Sequence, residues 1–340
     1  MTALVTGGAG FLGKRVVEEL LARGQSVCAL VRKPEQAEAL RRSGARTIIG
    51  DVRDAATRQA VRDAQVVYHC AAAVGPSYSA QDIFDVNLGG ARNVMEAMCD
   101  GGRGRVVLVS TINVLGLRSF DNATEDFPCR RAGEPNADVK IEVEHLARRL
   151  HHQRALDVVI VRPPLIYGPR EHNIPRILSA VRRVKFAYIG SRENLVPMVH
   201  IDDAAQAILL AGSVAGANGR IYHFSDGART TMGELIDTLA ELIGCTPPQK
   251  VLPYMVPAVA CRVFEWLRRL RLMRGPGPIN RNSLRFLGTS RSLDITRARQ
   301  ELGYEPKVGF RHAIAATVRW IEEHDQHGAP TPGVKPAAAR

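Results

Sequence analysis

Short apolar runs alternate with stretches of helical spacing through the first half of the chain. Residues 3–5, 26–31, 47–51, 66–70, 105–110 and 157–162 read as six buried strands. Between them, residues 14–21, 81–98 and 138–154 carry apolar side chains three and four apart, the period of a helix with one buried face. Strand and helix in alternation predict a parallel sheet covered by helices. After Arg162 the pattern changes, because Pro163-Pro164 cannot continue a central strand. Residues 165–170 read as a loop and 174–185 as a basic helix. A helix over 204–211 has Asp202 or Asp203 as its expected cap, and 220–224 reads as another strand. Thr231 with Glu234 three places on reads as a capped helix start, and 309–324 as a last amphipathic helix.

One stretch stands out. Over residues 251–274, Val256, Val259, Ala260, Val263, Leu267 and Leu270 share a helical face, widened by Phe264 and Trp266. Arg262, Glu265, Arg268, Arg269 and Arg271 lie away from it, and Gly275-Pro276-Gly277-Pro278 ends it. The stripe is expected to pack on the core or to line an apolar substrate pocket. A peripheral membrane contact, with the arginines toward anionic lipid, is the alternative. The tail over 326–340, rich in Pro, Gly and Ala, is expected to be disordered.

Composition narrows the class. A chain of 340 residues allows about two domains. The net charge of +12 comes from arginines spread along the whole length, with no nucleic-acid motif, so a generally basic surface is expected and no nucleic-acid partner. No apolar run reaches the roughly 18 residues of a membrane span. No basic, apolar leader precedes the first strand, which predicts a cytoplasmic protein. The six cysteines are scattered without a CxxC pair, so reduced thiols and no metal site are expected.

The chemistry begins at Thr6-Gly7-Gly8-Ala9-Gly10-Phe11-Leu12-Gly13, between the first strand and the first helix. Gly7 suits the tight turn, Gly10 lets a pyrophosphate approach the backbone, and Gly13 lets the helix pack against the strand. The phosphates would face the free N–H groups of that helix. About 20 residues on, the acid that would hold the ribose of NAD is absent. Arg32 and Lys33 stand there and suit a 2′-phosphate, favouring NADP(H) with NAD as the alternative. Asp51 and Val52 fall where adenine would lie, and small Ala71, Ala72 and Ala73 would admit a cofactor near the backbone. His69 reads as a packed core residue, and Asn87 as part of a polar network near the cofactor. The fifth strand delivers Ser110 and Thr111 at its carboxyl end.

In this order the motifs resemble the extended short-chain dehydrogenase/reductase superfamily, in its NAD-dependent epimerase/dehydratase branch. The resemblance runs from about Thr2 to Glu323. It rests on Thr6 to Gly13, Asp51, Asp85-Val86-Asn87 with Gly89-Gly90, and Ser110-Thr111 with Gly116. Arg162-Pro163-Pro164 with Tyr167-Gly168-Pro169, Val199-His200-Ile201-Asp202-Asp203, and 298–306 continue it. The long apolar helix before Pro278-Ile279-Asn280-Arg281 is similar to 3β-hydroxysteroid dehydrogenase-like members, which act on lipid-like or sterol-like alcohols and ketones.

The resemblance implies a Rossmann-type doubly wound parallel sheet with a smaller, interleaved C-terminal substrate-binding lobe. Residues 1–165, with returning segments near 198–226, would hold the dinucleotide, and 166–197 with 227–325 the substrate. Pro163 and Ile166 would join the cofactor site, and a homodimer is implied. Family chemistry uses a Ser or Thr with Tyr and Lys in YxxxK. Four residues apart on a helix put both groups on one face. Thr111 falls on the Ser/Thr position and Lys140 on the Lys position, with Glu144 and Arg162 agreeing with that register. The Tyr position is then Asn136, which cannot ionise, and no tyrosine lies between Tyr78 and Tyr167. A water on Lys140, Tyr167 or Tyr78 are the candidate substitutes. Three functions stay open: an NAD(P)-dependent oxidoreductase or epimerase-like enzyme on a hydroxyl or ketone of an apolar small molecule, a cofactor-dependent lyase, isomerase or dehydratase, and a silent NADP(H)-binding sensor.

Overall fold

The computed structural model describes residues 2–75, 77–171, 173–183, 186–269 and 281–325. Its centre is a seven-stranded sheet in the order Ile221–His223, Val158–Arg162, Arg105–Val109, Val66–His69, Thr2–Thr6, Ser26–Val31, Arg46–Ile49. Every pairing is parallel. Parallel strands are covered on both faces, and so run apolar at every position rather than alternating. Arg105–Val109 and Val158–Arg162 are buried throughout. On one face, helices Phe11–Ala22 and Ile201–Ser213 bury Val16, Val17, Leu20, Ala205 and Ile208. On the other, Gly90–Cys99 and Pro135–Arg154 bury Val94, Met95, Val143 and Leu146. A separate C-terminal core gathers Leu178, Leu235, Ile236, Leu239, Ile314 and Val318. This is the expected Rossmann-type doubly wound fold. The strand order reverses between Thr2–Thr6 and Val66–His69, and ligands of such sheets bind outside the carboxyl ends at that reversal.

Local chemistry explains most boundaries. Pro34 occupies the first turn of Pro34–Arg42, where its missing N–H costs nothing. Thr231 caps Met232–Leu242 by accepting the Glu234 N–H at 3.0 Å. Other expectations are corrected. The helix expected from 138 starts at Pro135, because the Glu134 carboxylate caps it, accepting from Asn136 and Ala137 N–H at 3.2 and 2.6 Å. His200, not an aspartate, caps Ile201–Ser213. The Asp203 carboxylate instead accepts the N–H groups of Lys307 and Val308, both at 3.0 Å. The stretch read as a loop contains a strand, Leu165–Tyr167, paired with Met198–His200. A ladder between Phe120–Ala123 and Arg291–Leu293 has no counterpart in the sequence pattern. The expected helix over 174–185 is Asn173–Arg182, and Lys185 lies outside the described residues.

The apolar stripe in helix Met255–Arg269 does not pack on the core. The helix turns Ala258 and Cys261 toward Ile189, Leu284 and Leu287, which leaves Met255, Val256, Val259, Val263 and Trp266 exposed. The side chains of Glu265, Arg268 and Arg269, residues 270–280 and the tail 326–340 lie outside the described residues. Among the described residues, no helix is long and apolar enough to cross a membrane.

One buried ion pair ties the long helix to the sheet. Arg162 donates from Nε to Glu144 Oε1 at 3.0 Å and from Nη2 to Oε2 at 2.7 Å, with both side chains at most 1 % exposed. Ser110 Oγ donates to the same carboxylate at 2.6 Å, and Arg162 Nη1 to the Glu125 carbonyl at 3.1 Å. Removing one member strands a buried charge, which costs about 3–5 kcal/mol. Glu144→Ala is therefore expected to lower unfolding free energy by that amount in urea denaturation. Glu142→Ala, which removes an exposed pair with Arg131, should cost less than about 1 kcal/mol.

Candidate dinucleotide and catalytic site

The glycine loop crosses the carboxyl edge of Thr2–Thr6 at the reversal point. Gly7 has φ +67°, and a Cβ there would lie 2.9 Å from the Ala71 backbone. A Cβ on Gly13 would lie 2.2 Å from the Gly7 carbonyl oxygen. Gly13 thus packs against the loop itself, where the sequence suggested the strand. Gly10 is exposed and precedes the first turn of Phe11–Ala22, with Phe11 and Leu12 half-buried. The unpaired N–H groups of that turn, in a cradle that side chains would fill, fit an anion such as a pyrophosphate.

Arg32 and Lys33 are exposed at the end of Ser26–Val31, and Arg32 Nη2 donates to the Tyr78 hydroxyl at 3.1 Å. Asp51 accepts from Arg53 Nε at 2.7 Å, and that bond holds its carboxyl below the usual range. Val52 is a core residue whose carbonyl accepts from Asn93 Nδ2 at 2.9 Å. Ala71 is half-buried, Ala72 exposed and Ala73 buried. Ala71 N–H donates to Thr6 Oγ1 at 3.2 Å. Asn87 is fully buried on a π-helical turn, Asp85–Gly89, of the sort frequent at functional sites. Its amide grips Ala73 twice: Oδ1 accepts the N–H at 2.7 Å, and Nδ2 donates to the carbonyl at 3.2 Å. His69 is a packed core residue beside Thr6, and burial, reinforced by Lys140, pulls its pKa to about 3.

Lys140 and Asn136 lie on helix Pro135–Arg154, and Lys140 reaches the end of the strand that Thr111 follows. Thr111 follows Arg105–Val109 and caps the turn Ile112–Leu115, accepting the Asn113 N–H at 3.3 Å. Lys140 is buried and donates from Nζ to the Val109 carbonyl at 2.7 Å. One helical turn earlier, Asn136 Oδ1 accepts from Asn87 Nδ2 at 3.1 Å. That leaves Asn136 Nδ2 as a donor with no hydrogen bond to a described residue. Pro163 accepts the Ile112 N–H at 3.0 Å, and Ile166 is half-buried beside the core.

Neither substitute tyrosine has a hydrogen bond to Thr111, Asn136 or Lys140 among the described residues. Tyr78 is bound to Arg32. Tyr167 is fully buried in the C-terminal core, its hydroxyl without a hydrogen-bond partner and its pKa raised by burial and by Asp226. The sequence marked Glu144 only as a register point, and did not mark Asn113 or Gly8. A Cβ on Gly8 would lie 2.8 Å from Ala29 Cβ, and only its place in a glycine-rich loop hinted at this. Among the described residues, no cluster of His, Cys, Asp or Glu could hold a metal ion.

Burial pushes the Lys140 ammonium down to about 8, against the opposing pull of Cys70 and Glu144. Between about pH 8 and the ordinary lysine value near 10.4 the unfolded chain then binds one more proton than the folded one, so stability rises with pH. Relative to Lys140→Met, the wild type is expected to gain on the order of 3 kcal/mol across that window. Paired urea denaturations at pH 7.5 and 10.5 measure the difference. A flat difference would contradict it.

A model of the NAD dependent epimerase/dehydratase family matches residues 3–224. The chain is 29 % identical over 322 residues to a 4-hydroxy-2-methyl-3-oxo-4-farnesyl-3,4-dihydroquinoline-1-oxide ketoreductase of Stigmatella aurantiaca, covering 93 % of this chain and 95 % of that one. It is 32 % identical to sterol demethylase protein B of Methylococcus capsulatus, covering 95 % and 99 %. Among solved structures, the dTDP-glucose 4,6-dehydratase DesIV of Streptomyces venezuelae, crystallised with NAD, superposes with a TM-score of 0.77 at 28 % identity, covering 97 % and 100 %. The glycine cradle and the parallel sheet that carries it are thus those of a known lineage, and the chain belongs to the NAD-dependent epimerase/dehydratase family, as an NAD(P)-dependent oxidoreductase or epimerase-like enzyme.

Proposed function

We propose that the protein interconverts a hydroxyl and a ketone on a moderately apolar small molecule with NADP(H), using an active site in which Asn136 replaces the family tyrosine. The observation that carries this reading is the pairing of Asn136 with Asn87 one turn before buried Lys140. It engages the amide oxygen and leaves Nδ2 as the donor this reading needs. Gly7, Gly10, Phe11, Leu12 and Gly13 hold the pyrophosphate. Asp51 and Val52 border the adenine, and Ala71 to Ala73, Asn87, Ser110, Pro163 and Ile166 border the remainder. The nicotinamide, when bound, supplies or accepts the hydride.

Thr111 Oγ1 and Asn136 Nδ2 hold the reacting oxygen, and Lys140 holds the ribose and keeps the site positive. Asn136 cannot give up a proton. A water beside Lys140, whose pKa of about 8 is close to working pH, supplies it. The ketoreductase relative supports carbonyl reduction. Residues 166–197 and 227–325 form the substrate side, in a cytoplasmic homodimer. The non-ionisable Asn136 also favours a second reading, a dinucleotide-binding protein without turnover.

Arg32 at the second strand end supports NADP(H) over NAD. Arg32→Glu is expected to weaken NADPH at least tenfold in fluorescence titration and to leave NADH within about threefold, the scale of one lost charge-assisted contact. Equal wild-type affinity for the two nucleotides would overturn the assignment. Asn136→Tyr is expected to raise NADPH consumption across a panel of apolar ketones. A panel silent in both proteins favours the second reading.

A further inference from the structure

Eleven large hydrophobic side chains are exposed among the described residues, and seven of them fall between Val251 and Trp266. Five belong to helix Met255–Arg269: Met255, Val256, Val259, Val263 and Trp266, each 47–64 % exposed. At about 100° per residue they occupy one sector of the helix roughly 100° wide. Val251 and Tyr254 precede the helix and are exposed beside it in sequence. The helix is held to the protein through small residues, with Ala258 and Cys261 against Ile189, Leu284 and Leu287. It is thus mounted with its bulky apolar face outward. Single exposed hydrophobics need no explanation, but a continuous stripe marks a surface that another body covers.

Charge indicates which body. Residues 242–281 carry seven Lys and Arg against a single Glu, a net +6 that is half the charge of the whole chain. Lys250 and Arg262 are exposed. Arg262 borders the stripe, about 20° around the helix from Met255. A second copy of this face would bring like charges together, and a nucleic acid would leave the aliphatic stripe in water. An anionic bilayer satisfies both features, because its acyl region takes the apolar side chains and its headgroups take the cations. Trp266 ends the stripe, and an indole is favoured at headgroup level. The helix has 15 residues. At about 1.5 Å per residue it is shorter than the roughly 30 Å hydrocarbon core, which suits lying in the interface and not crossing it.

We propose that the face from Met255 to Trp266 docks the protein onto an anionic lipid bilayer, with the helix lying in the headgroup plane. None of its residues belongs to the proposed catalytic set, so the docking stands or falls independently of the redox reading.

The test is co-sedimentation of the full chain with vesicles of phosphatidylcholine, alone or with about one third phosphatidylglycerol. The wild type is expected to bind the anionic vesicles at least about tenfold more tightly, and to lose most of that preference as salt rises from about 0.1 to 0.5 M. Its tryptophan emission should shift to the blue on binding, and Trp266→Phe should abolish the shift. Val259→Ser with Val263→Ser removes apolar area without changing charge. That double variant should bind at least about tenfold more weakly. Its thermal unfolding midpoint should stay within about 2 °C of the wild type, since both side chains are exposed. Arg262→Gln should weaken binding to anionic vesicles about threefold to tenfold and leave neutral vesicles unaffected.

A wild type that stays in the supernatant with anionic vesicles overturns the proposal. So does a double variant that pellets as well as the wild type, since basic charge alone would then account for the binding. A double variant that dissociates a dimer in sedimentation velocity, beside a wild type that ignores vesicles, assigns the face to a second copy instead.

Discussion

Everything at the carboxyl edge of the sheet depends on three stretches of backbone lying closer together than side chains allow. Gly7 sits against Ala71 and Gly13 against Gly7, at distances where an added Cβ would overlap. That approach brings the start of Phe11–Ala22 down onto the first strand and aims its free N–H groups into the crevice beside the fourth strand. A side chain at either glycine would tilt the helix and close the cradle. The Asn87 amide then pins the segment after the fourth strand through Ala73 and reaches Asn136 on the long helix. One asparagine thus sets both the segment after the fourth strand and the Asn136 amide.

The charged groups behind the site are buried together. Lys140 donates to the Val109 carbonyl, while Glu144, four residues on, accepts from Arg162 and from the Ser110 hydroxyl. Burial pushes the lysine down, and Cys70 and Glu144 pull the other way. At low effective dielectric such attractions are strong.

The strands were legible because parallel strands buried on both faces leave unbroken apolar runs, bounded here by glycine and by Pro34. The cofactor loop was legible because its chemistry is local. What escaped was set by distant partners. Phe120–Ala123 pairs with a strand some 170 residues away and carries no alternation of its own. Asp203 looked like a cap and serves the chain at Lys307 and Val308 instead. The stripe from Val256 to Trp266 has the period of a buried face, yet the helix packs through Ala258 and Cys261. The sequence puts Asn136 where the resemblance implies a tyrosine, but its pairing with Asn87, 49 residues earlier, was not legible.

The central claim is that hydride moves at a site whose oxygen-holding residue is an amide. The most direct measurement uses NADPH carrying deuterium at nicotinamide C4, incubated with apolar ketones and read by mass spectrometry of the products. Deuterium is expected on the carbinol carbon of the alcohol formed. NADPH that binds tightly while no product acquires label would contradict it.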